Sequence, residues 1–434
     1  MDQSGSIHPR PGIACSGWHR GCPRITSNRE RLPDGPAARP ALVLLVGTGF
    51  LASTALARDQ SCAAKPSHPM TRLAVLGAGG FVGSRLLELS LARAGIEAIP
   101  MLRQPRGLGR LARFGLTWRP IDTNSIQSLS ESLDRFDAVV NLTQGDNERL
   151  LPDVQNLYEA CRRAKVGRFI HLGSAVVFGE VKHPNLPDDM LASENRWSEY
   201  ARAKAATDAW LAPRLDTSGP ATVIFRPGLV WGPRSIWVTL PAGQMMDGNA
   251  FLFRQGSGIC NLCHVDRLAS AILSAATRPV ALTGFFHIGD PGVRTWRQYY
   301  NALTREIGSD TGSIHQLPDF EITWKDRVLG MKDLNWVRQI KRRIRNQTKD
   351  RIKRVLRNTI EQLSPPTISG ARVPAAPRPD RLMWSLQSVE NPLPLDRFQV
   401  HFPEVTEPDY ETAMSRTGSW LRYSGFTVEP GESG

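Results

Sequence analysis

From residue 71 onward, short apolar runs alternate with longer stretches whose apolar positions recur every third or fourth residue. Leu73-Ala74-Val75-Leu76 is the first such run, and Ser84-Arg85-Leu86-Leu87-Glu88-Leu89 the first helical pattern after it. The alternation continues with a strand over Asp137–Leu142, a helix over Leu150–Lys165 and a strand over Arg168–Leu172. Ala221–Phe225 and Gly284–Ile288 read as further buried strands. Strands that are apolar throughout, separated by helices, predict a parallel sheet covered on both faces. The expected fold class is therefore α/β: a Rossmann-like, doubly wound parallel sheet with a smaller C-terminal region. In such sheets ligands bind beyond the carboxyl ends of the strands.

Between the first strand and the first helix lies Gly77-Ala78-Gly79-Gly80-Phe81-Val82-Gly83. A bare glycine pattern carries little weight, but with a strand before it and a helix after it the pattern reads as a dinucleotide site. Gly77 serves the tight turn, Gly80 the approach of backbone to pyrophosphate, and Gly83 the close packing of helix on strand. The first helical amides, at Phe81 and Val82, then face an anion. About 20 residues on, an acidic residue normally binds the ribose 2′-hydroxyl of NAD. The second strand, Glu97–Gln104, carries Arg103 there instead. A guanidinium suits a 2′-phosphate, so NADP(H) is expected in preference to NAD(H).

Two later features carry chemistry. The strand at 168–172 delivers Ser174 at its carboxyl end, and Tyr200-Ala201-Arg202-Ala203-Lys204 follows. A spacing of four places Tyr200 and Lys204 on one helix face. An ammonium near the phenol, helped by a cationic nicotinamide, is expected to lower the phenol's pKa toward working pH. Tyr200 then exchanges a proton with a substrate hydroxyl or carbonyl whose oxygen Ser174 holds.

With these residues in place the chain resembles the extended short-chain dehydrogenase/reductase family, specifically its NAD-dependent epimerase/dehydratase group. The resemblance covers roughly residues 72–308 and rests on motifs in order. They are the Gly77/Gly80/Gly83 turn, Asp122 after the third strand, the strand ending at Asn141-Leu142, and Leu172–Gly179 with its serine. Tyr200/Lys204, Arg226–Pro233 and His264-Val265-Asp266 complete the series. It implies hydride transfer at a nicotinamide with Ser174, Tyr200 and Lys204 as the catalytic group. It also implies cofactor contacts from Asp122 (adenine), from Asn141 and Leu142, and from Lys204 (nicotinamide ribose). The C-terminal part is then expected to bind substrate, a nucleotide-linked sugar or related polysaccharide precursor. This sequence departs from the family pattern at Arg103, at Thr143-Gln144-Gly145, at Phe178 and Trp231 in place of tyrosines, and at Arg267. The alternative reading is a non-catalytic NAD(P)-binding sensor or scaffold that kept the fold.

Charge and cysteine usage narrow the picture further. The net charge of +13 suggests nucleic acid until it is mapped. Residues 332–357 carry +9 and residues 1–69 carry +4, so the remaining body is balanced and no nucleic-acid surface is indicated. The domain reading is an N-terminal extension over 1–69, a cofactor domain over 70–290 and a substrate-binding region over 291–434. Within the extension, the apolar run 41–57 ends in Ala55-Leu56-Ala57 and resembles a signal-peptide core. A misassigned or dispensable leader before Met70 is the favoured alternative, because nucleotide cofactors are cytosolic. The basic stretch 332–363 has helical apolar periodicity, and the proline-rich segment 364–380 follows it. Such a helix packs either on the protein's own apolar surface or on an anionic membrane. Cys260-Asn261-Leu262-Cys263-His264 matches the c-type haem pattern, but it falls where the resemblance places a strand. No second Cys/His pair supports zinc, so no metal is expected. The expected protein is cytoplasmic or membrane-peripheral, with a small-molecule substrate and room for a homodimer.

Overall fold

The computed structural model describes residues 70–179, 185–192, 198–215, 217–310, 314–319, 381–406 and 408–427. The readings for 1–69, 332–363 and 364–380 lie outside the described residues. Among the described residues, no helix is long and apolar enough to cross a membrane.

Seven strands form the central sheet: β1 (Thr71–Leu76), β2 (Ile96–Leu102), β3 (Arg119–Pro120), β4 (Ala138–Asn141), β5 (Arg168–Leu172), β6 (Ala221–Pro227) and β10 (Gly284–Ile288). Their order is β10-β6-β5-β4-β1-β2-β3, and every neighbouring pair is parallel. Parallel pairing needs a crossover between strands, and the helical stretches of the sequence supply one. The order reverses at β1, which pairs with β2 on one side and β4 on the other. That switch point opens a crevice at the carboxyl ends of β1 and β4.

The sheet is buried on both faces, as its uninterrupted apolar strands require. On one face Leu73, Val75, Val140, Ile170 and Phe225 pack with helices α1 (Phe81–Leu91) and α6 (Val265–Thr277). On the other, Ala74, Val139, Phe169 and Ile224 pack with α2 (Ile126–Ser132) and α3 (Asn147–Arg163). Helix α4 (Glu199–Leu211) also lies on this second face, through Leu211. A bidentate Arg85–Asp266 pair at 2.6 and 2.8 Å ties α1 to α6.

A separate aromatic cluster gathers Trp231, Phe251, Phe253, Trp296, Tyr299 and Tyr300. It joins two short parallel sheets, β7 (Leu229–Trp231) with β9 (Leu262–His264) and β8 (Phe251–Phe253) with β11 (His315–Leu317). Helices α5 (Ile236–Met246), α7 (Trp296–Ile307), α8 (Arg381–Gln387) and α10 (Tyr410–Tyr423) surround it. A capping box at Thr295 and Gln298 starts α7, satisfying two amides that a helix start otherwise leaves unpaired. Short α9 (Asp396–His401) returns to the main sheet, where Phe398 packs against Phe225. The strand that follows Cys260 is therefore β9, paired with β7 outside the central sheet. Cys260 and Cys263 are buried and not joined in a disulfide.

Candidate active site

The carboxyl end of β1 runs straight into the glycine turn. Gly77 has φ +79°, and a Cβ there would lie 2.7 Å from the backbone carbonyl of Leu142 at the end of β4. Backbone cannot yield to such a contact, so the turn requires glycine twice over, for conformation and for space. Gly83 packs α1 onto the turn: a Cβ there would stand 2.8 Å from the Ala78 Cα. Gly80 caps α1 without a side-chain acceptor, and no acidic residue occupies the first turn. The amides of Phe81 and Val82 thus have no side-chain acceptor at the cap, and the helix dipole makes this end favourable to an anion.

Beyond this turn lies a cavity of about 1340 Å³. A single small ligand typically occupies a pocket of roughly 300–1,000 Å³, so this one has room for two. Its walls include Gly77, Gly80, Phe81, Val82, Gly83, Arg103, Asp122, Leu142, Ser174, Tyr200 and Lys204. Of the site residues expected from sequence, Asn141 alone is absent from the wall. It is buried, accepts from the Thr143 amide and hydroxyl at 3.1 and 2.6 Å, and meets the His171 ring at 3.2 Å. It shapes the loop that presents Leu142 and Thr143.

At the open end of β2, Arg103 is half exposed and lies 3.9 Å from Asp153. A pair so long and so exposed contributes little, which leaves the guanidinium available. Arg110, which the sequence reading did not select, also lines this end and donates to the Gly79 carbonyl at 3.3 Å. Asp122 accepts from the backbone and side chain of Asn124 at 3.0 and 2.8 Å. Those two bonds hold its carboxyl below the ordinary range.

At the other end stand the reactive groups. Ser198 caps α4 by accepting from the Ala201 amide at 3.0 Å, which sets Tyr200 in the first turn. The Tyr200 phenol is hydrogen-bonded with Ser174, whose hydroxyl also accepts from the Val176 amide at 3.3 Å. Burial pushes the phenol above its ordinary value, and the bond with Ser174 pulls it part of the way back. This differs from the expected lowering by Lys204. The Lys204 ammonium sits 5.9 Å from the centre of the Tyr200 ring and donates to the Leu172 carbonyl at 2.6 Å. Burial brings Lys204 itself down to about 8, while Asp208 acts in the opposite sense.

The far wall comes from elements that no sequence motif marked. Trp296 and Trp237 line it, together with Leu382, Ser385 and Leu386 of α8 and with Val389 and Leu393 beyond. Two bonds dock this segment: Ile259 N–H to the Val389 carbonyl at 2.7 Å, and Leu393 N–H to the Asn261 side chain at 2.9 Å. Arg234 also lines the cavity, with a left-handed φ of 77° that is uncommon for a residue with a side chain.

Comparison with known proteins agrees with this geometry. The model of the NAD dependent epimerase/dehydratase family matches residues 73–289. The chain belongs to that family. A dTDP-glucose 4,6-dehydratase of Streptomyces antibioticus is 25% identical over 266 residues, 54% of this chain and 77% of that protein. The structure of a Bacillus anthracis dTDP-glucose 4,6-dehydratase in complex with NAD superposes with a TM-score of 0.58 at 13% identity, covering 81% of this chain and 97% of that one. A Thermus thermophilus UDP-glucose 4-epimerase in complex with NAD gives 0.55 at 18% identity, over 81% and 99%. At these identities the structural likeness speaks for the fold.

The glycine turn gives the first test. Gly77→Ala is expected to weaken dinucleotide binding by about 5- to 150-fold, since strain of this kind costs about 1–3 kcal/mol. Gly95→Ala is the control, because Gly95 has the same φ of +79° but open space around it. Fluorescence titration of the reduced cofactor reads both variants. Unchanged affinity in Gly77→Ala would remove the turn from the site.

Proposed function

We propose that this chain is an NAD(P)-dependent enzyme moving hydride at a hydroxyl- or carbonyl-bearing carbon of a nucleotide-linked sugar, with NADP(H) the preferred cofactor. The observation that carries the reading is one cavity running from free helix amides at Phe81 to the Ser174/Tyr200/Lys204 group. The residues fit a nicotinamide dinucleotide: the turn leaves no room for a Cβ at Gly77, and the amides of α1 await an anion. When bound, the nicotinamide supplies the hydride acceptor or donor. The chain supplies the rest.

Oxidation of a secondary alcohol releases a proton from oxygen as hydride leaves carbon, and Tyr200 Oη is placed to take that proton. Ser174, hydrogen-bonded with the same phenol, orients the substrate oxygen. In the reverse direction the phenol donates. Its raised pKa keeps it protonated at neutral pH, the form from which it donates. The cationic Lys204 stabilises the phenolate whenever the proton leaves. Residues 291–434 supply much of the substrate side, through Trp296, α8 and the segment to Leu393. Arg234 is a guanidinium on the wall with no hydrogen-bond or ion-pair partner among the described residues, which suits a phosphate-bearing substrate.

Cofactor choice rests on Arg103, with Arg110 beside the same end of the cavity. A charge-assisted contact to a 2′-phosphate is worth about 1.5–3 kcal/mol. Arg103→Asp is therefore expected to reverse the preference for NADP(H) in paired titrations; equal affinity for both cofactors in the parent would contradict the assignment. Tyr200→Phe is expected to bind cofactor normally and to lose turnover by roughly 100- to 10,000-fold, measured on nucleotide sugars at the nicotinamide absorbance. Near-normal turnover would exclude Tyr200 as the acid–base group.

A further inference from the structure

Helix α4 carries a third ionisable group on the face that bears Tyr200 and Lys204. Asp208 follows Lys204 by four residues, so the three side chains line one stripe. Asp208 is 1% exposed and Lys204 is 2% exposed. One carboxylate oxygen of Asp208 accepts from Arg226 Nε at 2.8 Å, and the other has no hydrogen-bond partner among the described residues. Arg226 is itself fully buried on β6 and stacks 4.0 Å from the centre of the Phe285 ring. Its Nη1 donates to the carbonyls of Asp188 and Met190 at 2.7 and 3.0 Å. Asp188 in turn accepts from the His287 amide at 2.5 Å.

Arg226 is thus paired with Asp208, and buried Lys204 lies one helical turn before that carboxyl on the same face of α4. A buried ion pair is a poor stabiliser, because desolvation offsets most of its Coulomb gain. An apolar pair of the same volume would hold α4 against β6 as well, and would leave no carboxylate oxygen unfilled. What an apolar pair cannot do is act on Lys204. The groups near Lys204 are Tyr200 and Asp208 on α4 and His171 on β5, with Arg226 of β6 reached through Asp208. Burial keeps His171 neutral, and Arg226 is a cation. Asp188 and Asp189 act on Arg226, at the far side of that guanidinium. Burial raises the Asp208 carboxyl while the charges of Arg226 and Lys204 favour its ionised form, and Asp208 is the one acid that acts on the Lys204 ammonium among the described residues.

We propose that Asp208, pinned by Arg226, is a positioning residue for the proton transfer: its carboxylate keeps Lys204 cationic beside Tyr200. Asp208 touches neither substrate nor cofactor. It acts through Lys204, and the proposal rests on the reading of Tyr200 and Lys204 as the acid–base pair. Removing the carboxylate lets Lys204 lose its proton at lower pH, so every property that needs the ammonium fails earlier as pH rises.

The test compares the parent with Asp208→Asn/Arg226→Met, which removes the charge pair without stranding either partner, and with Asp208→Glu. Two pH profiles are read for each: turnover, and affinity for the reduced cofactor by fluorescence, which needs no turnover. The double variant is expected to lose both functions about one pH unit or more below the parent. Asp208→Glu is expected to keep the parent's alkaline limb, even if its rate is lower. An unmoved limb in the double variant would overturn the proposal, and so would a limb in Asp208→Glu displaced as far as in the double variant. Lys204→Arg, cationic at every working pH, should abolish the limb in the parent background. A limb that survives Lys204→Arg belongs to another group and refutes the proposal whatever the Asp208 variants do. Normal turnover in Tyr200→Phe would defeat the acid–base reading separately, while the binding limb would still report the charge on Lys204.

Discussion

The structure depends on a place where three backbones meet with no side chain between them. The end of β1, the end of β4 and the first turn of α1 converge at Gly77, where a Cβ would press into the Leu142 carbonyl. Because β1 and β4 are neighbours at the point where strand order reverses, this contact also forms the floor of the crevice. Bring the three together and the amides of Phe81 and Val82 point into the cavity. Push them apart by one methyl group and the anion seat, the loop after Asn141 and the packing of α1 all shift. The buried faces of the sheet make that geometry rigid, since apolar packing at crystal-like density transmits small displacements rather than absorbing them.

The opposite end of the cavity is built on a different constraint, the burial of charge. Lys204, Asp208 and Arg226 lie within the protein at the edge of the reactive group. Each is expensive to bury alone, and the Arg226–Asp208 pair offsets part of that cost. The two ends are joined through the sheet: β4 lies between β1, which ends in the glycine turn, and β5, which leads to Ser174 and accepts from Lys204 of α4 at the Leu172 carbonyl. The glycine turn and the Ser174/Tyr200/Lys204 group are thereby held at a fixed separation by one rigid unit.

What the sequence made legible was local. The alternation of strand and helix, the glycine turn and the four-residue spacing of Tyr200 and Lys204 all lie within a few residues, where periodicity and backbone sterics speak directly. The parallel sheet and the residues from Gly77 to Lys204 that line the cavity followed those signals. The sequence reading failed where the determinant is non-local. Asn141, a cofactor contact by the family resemblance, lies off the cavity wall with its amide turned to Thr143 and His171. The Tyr200 phenol was expected to be depressed by Lys204, but the ammonium is drawn to the Leu172 carbonyl and burial dominates. The wall formed by Leu382, Leu386, Val389 and Leu393 carries no motif. Its place depends on bonds to Ile259 and Asn261, more than 100 residues earlier in the chain.

The most direct test of the account is a crystal structure of the protein with bound NADP. The account predicts the pyrophosphate over the Phe81 and Val82 amides, the 2′-phosphate at Arg103 and the nicotinamide ring beside Tyr200 and Lys204. A dinucleotide bound outside this cavity, or bound with its nicotinamide remote from Tyr200, would contradict it.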